Sequence, residues 1–262
     1  MTKVRAKKWL GQHFLVDENI ALKTAESLTG KGYNTVLEIG PGMGVLTKYL
    51  LQKDEFNLSA IEVDTESVNY LLQNYPQLEG RLIEGDFLRL DLQEYFKDNF
   101  AIVGNFPYNI SSQIMFKLLD YRNQCPELVG MFQKEVAERF SAKTRTKAYG
   151  ILSVLLQTYY NCEYLFTVPN HVFDPPPKVE SAVVRLIRNE RTTLPCDEVL
   201  YKDVIKTAFQ QRRKKLSNAI KKFNLTDTTE EINHFLNLRA EELTVEDFIK
   251  LTLAVQDNKN ND

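Results

Sequence analysis

The 262-residue chain carries 33 Lys and Arg against 35 Asp and Glu, a formal net charge of −2, with 43% hydrophobic and 26% charged residues. This balance is that of an ordinary globular protein with one full core and room for a smaller appended unit, and it excludes collagenous, disordered or membrane-embedded compositions. No apolar run approaches membrane-spanning length, and no basic, apolar and small-residue succession marks a signal peptide, so a cytoplasmic chain without membrane contact is the expectation.

In chain order, the first sixteen residues carry Lys3, Arg5, Lys7 and Lys8 and no acid. Residues 34–40 (NTVLEIG), 57–64 (NLSAIEVD), 81–88 (RLIEGDFL) and 100–107 (FAIVGNFP) are short apolar or β-branched runs that end in Gly, Asp or Pro, and they read as buried strands. Helical spacing fills the intervals at Val45 to Gln52 and Thr65 to Asn74, the second with Asp64 or Thr65 as its cap. This alternation predicts a largely parallel sheet covered on both faces.

An apolar run at Leu128 to Phe132, a helix at Glu135 to Phe140 and a long apolar helix at Tyr149 to Tyr160 follow. Residues 164–170 and 181–188 read as an antiparallel pair, because the loop between them is too short for a helical crossover. Its three prolines, Pro175 to Pro177, stiffen it and hold Phe173 and Lys178 in fixed relation. After Arg191 only helical spacing remains, at Glu198 to Gln210, Lys214 to Phe223, Thr229 to Asn237 and Val245 to Val255, and the terminal QDNKNND reads as frayed. The expected division is therefore 1–190 and a small helical domain at 191–262.

Cys125, Cys162 and Cys196 are too scattered for a disulfide framework or zinc spacing, so no metal is expected. Lys202 to Lys222 holds eight basic residues against Asp203 alone, Arg212, Arg213, Lys214 and Lys215 among them. Such a run either tracks a phosphate backbone or forms a solvated helix face.

The segment EIGPGMG, Glu38 to Gly44, places glycines at alternate positions between a strand and a helix. There the backbone turns sharply and a ligand can approach the main chain. A Walker loop needs Lys and Ser or Thr after its last glycine, where this chain has Val45 and Leu46; the dinucleotide fingerprint from Gly42 needs a glycine at Thr47. Glu62, at the end of the second strand, is placed to accept from both hydroxyls of a ribose, and Asp86 ends the third strand. Gly40, Glu62 and Asp86 should face one crevice, which suits a nucleoside cofactor without a pyrophosphate, namely S-adenosylmethionine.

The fourth strand ends in GNFPYN, 104–109. An exocyclic adenine amine is a poor nucleophile because its lone pair is delocalised into the ring. The Asn105 oxygen and a backbone carbonyl near Phe106 or Pro107 could hold its two hydrogens and turn the lone pair toward a methyl donor, with alignment and desolvation carrying much of the rate. Tyr108 is placed to stack on the extruded base. Phe173 is either a clamp on the other face of that base or a core residue.

With these residues in view, the sequence resembles the KsgA family of ribosomal RNA adenine dimethyltransferases. The likeness runs from Gly11 to about Arg188 and rests on GQHFL (11–15), EIGPGMGVLT (38–47), IEVD (61–64), GDFL (85–88), GNFPYNIS (104–111), FQKEVAERF (132–140) and FDPPPKVESAVVRL (173–186). The resemblance implies an α/β fold: a Rossmann-like class I methyltransferase sheet, mostly parallel with one antiparallel strand, and a small helical C-terminal domain. It implies that His13 and Leu15 help close over S-adenosylmethionine and that Gly40, Gly42, Glu62, Asp86, Phe87 and Asn105 contact it. It also implies that Asn105, Pro107, Tyr108 and Phe173 hold the adenine, while the residues themselves point to Lys178 and Arg212 to Lys215 as the grip on RNA. Two positions depart from the family's commoner pattern: His13 stands where Asn is frequent and Phe106 where Leu is. The implied substrate is two adjacent adenines in the 3′-terminal hairpin loop of 16S rRNA within an immature 30S subunit, with the enzyme a monomer in solution. A large-subunit rRNA adenine dimethyltransferase of the macrolide-resistance type, or an RNA-binding assembly factor without catalysis, are the alternatives.

Overall fold

The computed structural model describes residues 4–226 and 228–261; Lys3 of the basic N-terminal run lies outside them. It divides into two units, Met1–Ala137 with Asn161–Arg188, and Glu138–Tyr160 with Asn189–Asp262.

The first unit begins with β1 (Phe14–Leu15), α1 (Glu18–Glu26), β2 (Thr35–Ile39), α2 (Thr47–Leu50), β3 (Asn57–Glu62), α3 (Thr65–Asn74), β4 (Leu82–Glu84) and α4 (Leu92–Tyr95). It continues with β5 (Phe100–Asn105), α5 (Ser111–Asp120) and β6 (Glu127–Gln133), and α6 (Lys134–Phe140) leads out of it. After α7 (Ile151–Tyr159) the chain returns as β7 (Tyr160–Val168), β8 (Phe173–Asp174) and β9 (Ser181–Arg188). Seven strands form one sheet in the order β4-β3-β2-β5-β6-β9-β7, and β1 pairs with β8 in a separate two-stranded ribbon. Strands β4, β3, β2, β5 and β6 run parallel, and β9 runs antiparallel to β6. The expected single antiparallel strand of the main sheet is thus β9 against β6, with β7 beside it at the edge.

The order reverses at β2. The chain lays β3 and β4 on one side, then crosses to β5 on the other, so the ends of β2 and β5 open a crevice at a topological switch point. Both strands are almost wholly buried and read as continuous apolar runs, because helices cover each face. Asp17 caps α1 by accepting from Ile20 N, and Asp64 caps α3 by accepting from Glu66 N. Helix α5 buries Ile114, Met115, Leu118 and Leu119, the i, i+4 stripe that faces the sheet.

Several sequence expectations contract: the helix expected over Lys214 to Phe223 is one turn, Leu216–Ala219, followed by a 3-10 turn at Lys221–Phe223, and two further cases lie beside the crevice. The helix expected over 45–52 is one turn, Thr47–Leu50, because the glycine loop occupies its first residues. The third strand stops at Glu84, where Gly85 N turns to the Glu62 carbonyl and the Asp86 carboxylate accepts from Leu88 N.

The second unit packs α7 with α8 (Glu198–Gln210), α9 (Leu216–Ala219), α10 (Glu230–Asn237) and α11 (Val245–Asn261). Tyr149 donates to the Leu243 carbonyl at 2.9 Å, and the Thr158 and Tyr201 hydroxyls share a hydrogen bond at 2.9 Å. A single boundary at residue 190 therefore differs from the structure: Glu138–Tyr160 joins the helical unit, because the apolar face of α7 finds its partners in α8 and α11. The expected fraying after Val255 is also corrected, since α11 runs to Asn261. Gln256 accepts from Asp197 N, and Asn258 accepts from Thr226 and donates to the Asn224 carbonyl, which ties the polar end down.

Among the described residues no helix is long and apolar enough to cross a membrane, and no group of His, Cys, Asp or Glu is placed to hold a metal ion. None of the three cysteines forms a disulfide. Burial pushes the Cys125 thiol far up and the Cys162 thiol up to about 12, where neither is reactive at neutral pH.

Candidate cofactor and adenine site

The glycine loop after β2 forms the floor of the crevice. Gly40 sits at φ +65°, its N–H donates to the Ile61 carbonyl at 2.9 Å, and a Cβ there would point into open space. Its left-handed conformation asks for glycine, and the space beyond lets a ligand reach the main chain. Gly42 is needed for a second reason: a Cβ would lie 2.8 Å from the Phe14 ring, so the N-terminal segment can close over the loop only without a side chain.

Two buried carboxyls stand beside that floor. Glu62 is 3% exposed, its Oε2 accepting from Gly42 N at 3.0 Å and its Oε1 from Val63 N and Asp64 N. Burial pushes it up, against the lowering effect of those three donors. Glu38, 1% exposed at the end of β2, accepts from the Thr47 hydroxyl at 2.7 Å. Burial pushes its carboxyl up to about 8, opposed by that hydroxyl and reinforced by the Glu62 charge. No Lys or Arg is among the residues that line this pocket, so it offers no cation to a phosphate, while the two carboxyls offer oxygens to hydroxyls. Open space at Gly40, carboxylates for hydroxyls and cationic groups, and the absence of a phosphate cradle together fit S-adenosylmethionine.

At the far wall the Asp86 carboxylate is 40% exposed, with Oδ1 on Leu88 N and Oδ2 3.4 Å from Arg89 Nε. Phe87 beside it is buried. Lys117 of α5 holds this loop: its ammonium donates to the Phe87 and Leu90 carbonyls and lies 4.9 Å from the Phe87 ring centroid. Burial lowers Lys117 from the usual lysine range, against the pull of Asp86, Asp91 and Asp120.

The fourth wall is the turn after β5. Gly104 and Gly130 face each other in register on β5 and β6, and the Phe106 ring lies where either Cβ would be, 2.0 Å from that of Gly130. Phe106 is buried against this glycine pair and against Phe132, and its N–H donates to the Met131 carbonyl. Thus anchored, it projects Asn105 and Tyr108 to the crevice. Asn105 Nδ2 donates to the His13 carbonyl at 2.9 Å, which commits the amide nitrogen and leaves the amide oxygen to accept. The Tyr108 hydroxyl is 2.6 Å from Ser181 Oγ, and its ring stacks on His13 at 5.4 Å. Burial raises the Tyr108 phenol, so it stays neutral. His13 Nδ1 donates to the Pro175 carbonyl at 2.7 Å, a bond that requires the proton on that nitrogen.

The N-terminal segment closes the crevice. Lys7 Nζ and Gln12 Nε2 both donate to the Asp64 carboxylate, two residues beyond Glu62. Burial would raise that carboxyl, but Lys7, Gln12, Glu66 N and Ser67 hold it below its usual range.

One pocket therefore brings together His13, Leu15, Gly40, Gly42, Glu62, Asp86, Phe87, Asn105, Pro107 and Tyr108. Phe173 is not among its walls. It is 3% exposed, pairs with Leu15 between β8 and β1, and belongs to the main apolar cluster, so the structure places it in the core and not as a clamp on a base. Lys178 is exposed on its loop in the same unit, and Arg213, Lys214 and Lys215 are exposed on the helical unit. Arg212 departs from them: its guanidinium binds Glu241 and the carbonyls of Thr146 and Lys147, a clamp that leaves it little to offer an RNA.

Sequence reasoning missed Glu38, Lys117 and the Lys7–Asp64 latch as parts of the site. Only Glu38 had a signal, as the polar residue of a buried strand inside the glycine motif.

A switch-point crevice with a glycine loop, strand-end carboxylates and an Asn-Phe-Pro-Tyr turn defines a class I methyltransferase that uses S-adenosylmethionine. Residues 3–257 match the ribosomal RNA adenine dimethylase family, and the chain belongs to it. It is an rRNA methyltransferase. Among its relatives, a Ribosomal RNA small subunit methyltransferase A of Cytophaga hutchinsonii is 56% identical, covering 96% of this chain and 98% of that one. A protein of the same name from Flavobacterium johnsoniae is 56% identical, covering 98% of each. Among solved structures, a dimethyladenosine transferase from Plasmodium falciparum matches with a TM-score of 0.79 at 26% identity, over 94% of this chain and 98% of that one. The 23S rRNA methyltransferase ErmE shares the fold, with a TM-score of 0.69 at 23% identity over 93% and 99%.

Proposed function

We propose that the enzyme dimethylates the N6 amines of two adjacent adenines in the 3′-terminal hairpin loop of 16S rRNA, within an immature 30S subunit and as a monomer. The observation that carries the amine chemistry is the commitment of the Asn105 amide nitrogen to the His13 carbonyl. It presents the Asn105 oxygen to one amine hydrogen. The Pro107 carbonyl already accepts from Ile110 N and Ser111 Oγ, which makes the Phe106 carbonyl the acceptor for the other. Two acceptors on the two hydrogens pyramidalise the nitrogen and aim its lone pair into the crevice. S-adenosylmethionine supplies an electrophilic methyl group on a sulfonium and leaves as a neutral thioether. Among the described residues no strong base lies beside the turn, and none is needed, because the nitrogen becomes acidic once alkylated.

Glu62 takes the ribose hydroxyls in this reading, Asp86 and Phe87 take the adenine of the cofactor, and His13 and Leu15 close over it. Tyr108, fixed by Ser181, offers a ring to the target base. Lys178 on one unit and Arg213, Lys214 and Lys215 on the other supply exposed charge for the phosphate backbone. The small-subunit target is favoured over the large-subunit one by the names and identities of the relatives above.

The test is to incubate the enzyme with unmethylated 30S subunits and labelled methyl donor, then map the label. Label on two neighbouring adenines near the 3′ end of 16S rRNA is expected; label on other nucleotides, or none, would overturn the assignment.

A further inference from the structure

Trp9 is the one tryptophan of the sequence, and it is 75% exposed. Folding gains little from an indole left in water, so its place needs another account. It sits in a 3-10 turn, Lys8–Leu10, that ends at Gly11 with φ +66°. This turn is pinned on both sides. Lys7 before it and Gln12 after it both donate to the buried Asp64 carboxylate, and the Lys7 N–H donates to Gln12 Oε1 at 2.8 Å. Gly11 lies against Asn109 of the catalytic turn, where a Cβ would meet the side-chain oxygen at 2.8 Å. His13 stacks on Tyr108. Leu10 to Leu15 line the pocket, so Trp9 is one residue from its rim, held between the cofactor side and the amine side.

Asp64 and the exposed Glu66 pair with Lys7, and the other two basic residues of the described segment are left to solvent. Arg5 and Lys8 are exposed, and no acid occurs in the first sixteen residues. Exposed aromatic surface among cations suits an unpaired nucleotide, whose base stacks while its phosphate is neutralised. Such a nucleotide is present wherever a target adenine leaves its stack, because the extruded base abandons a neighbour.

We propose that Trp9 stacks on the unpaired rRNA nucleotide next to the target adenine and replaces the stacking that the extruded base gave up, with Arg5 and Lys8 on the flanking phosphates. The proposal rests on rRNA as substrate and on the amine site at Asn105. It makes Trp9 a substrate-positioning residue outside the cofactor pocket.

The single indole permits a direct test. Titrating the enzyme with a protein-free RNA hairpin that carries adenines in its loop should quench Trp9 fluorescence and shield it from acrylamide, whereas S-adenosylhomocysteine alone should do neither. With unmethylated small subunits, Trp9→Ala should raise KM for RNA ~5- to 100-fold and leave the affinity for S-adenosylhomocysteine unchanged. Trp9→Phe should recover most of the loss, and Trp9→Leu should not. Unquenched fluorescence with saturating hairpin, or a Trp9→Ala KM within about twofold of wild type, overturns the proposal and assigns the indole to a protein partner instead. Absence of methylation by the wild-type enzyme would strike the rRNA reading, while the fluorescence titration would still decide Trp9.

Discussion

Asn105 and Tyr108 differ in how they serve the reaction, and single substitutions separate them. In the proposed mechanism Asn105→Ala removes an acceptor for the amine, so kcat should fall about 100-fold or more while the Kd for S-adenosylhomocysteine shifts little. There Tyr108→Ala removes the ring offered to the base and should cost turnover comparably, whereas Tyr108→Phe keeps the ring, loses only the Ser181 bond, and should retain most activity. Turnover by Asn105→Ala at the wild-type rate would remove this turn from the chemistry. Glu38 gives a pH signature. Its carboxyl is pushed up to about 8 in the fold, well above the usual carboxylate range, so the folded state holds a proton that the unfolded chain releases. That contribution to stability is complete below pH 4.5 and is lost as pH rises through about 8. In the cofactor-free protein, Glu38→Gln should therefore flatten the fall in Tm across that window; unchanged slopes for the two proteins would show that Glu38 does not titrate there. These residues were unequally legible. Gly40, Glu62 and Asn105 lie at strand ends in motifs whose chemistry is local, and the pocket gathers them. Phe173 was ambiguous in sequence because an aromatic beside a proline-rich loop can face either way, and its pairing with Leu15 decides for the core. Arg212 sits in a basic run like its neighbours, yet Glu241 lies far along the chain, so no local pattern announces the clamp.

At the scale of elements, regular segments between clear signals were readable to the residue. The boundaries of α3 follow from its Asp64 cap and its apolar stripe, and those of α8 from its Asp197 cap. Helix α2 and strand β4 were overextended, because their ends are set by contacts the sequence does not print, the glycine loop against β3 and the Asp86 turn against Leu88. Helix α5 shows the same limit from the other side. It was not read from the sequence, and its Lys117 acts on a loop 27 to 30 residues away, holding Phe87 and Leu90 by their carbonyls. In the proposed site Lys117 is thus a positioning residue for the loop that takes the cofactor's adenine. Lys117→Met should raise KM for S-adenosylmethionine about tenfold, near 1.4 kcal/mol, with kcat and the KM for RNA within about twofold of wild type. Lys117→Arg should recover part of it. Equal loss in kcat and in both KM values would mean a general structural role.

The whole molecule divides its labour between two units, and the sequence told their kinds better than their border. Alternating strands and helices, then helices alone, sufficed for an α/β sheet with a helical appendage. The excursion of Glu138–Tyr160 into the helical unit was hidden, because an apolar helix between two strands looks alike whether it covers a sheet or joins a bundle. The larger unit carries every wall of the cofactor crevice, so one bound ligand reports on all of them. The direct measurement is a crystal structure of the enzyme with S-adenosylmethionine. Density is expected beyond Gly40 with the ribose hydroxyls on Glu62, the adenine between Asp86 and Phe87, and the methyl directed at the Asn105–Tyr108 turn; this is the proposed site. A ligand held elsewhere, or a methyl turned away from Asn105, would contradict it.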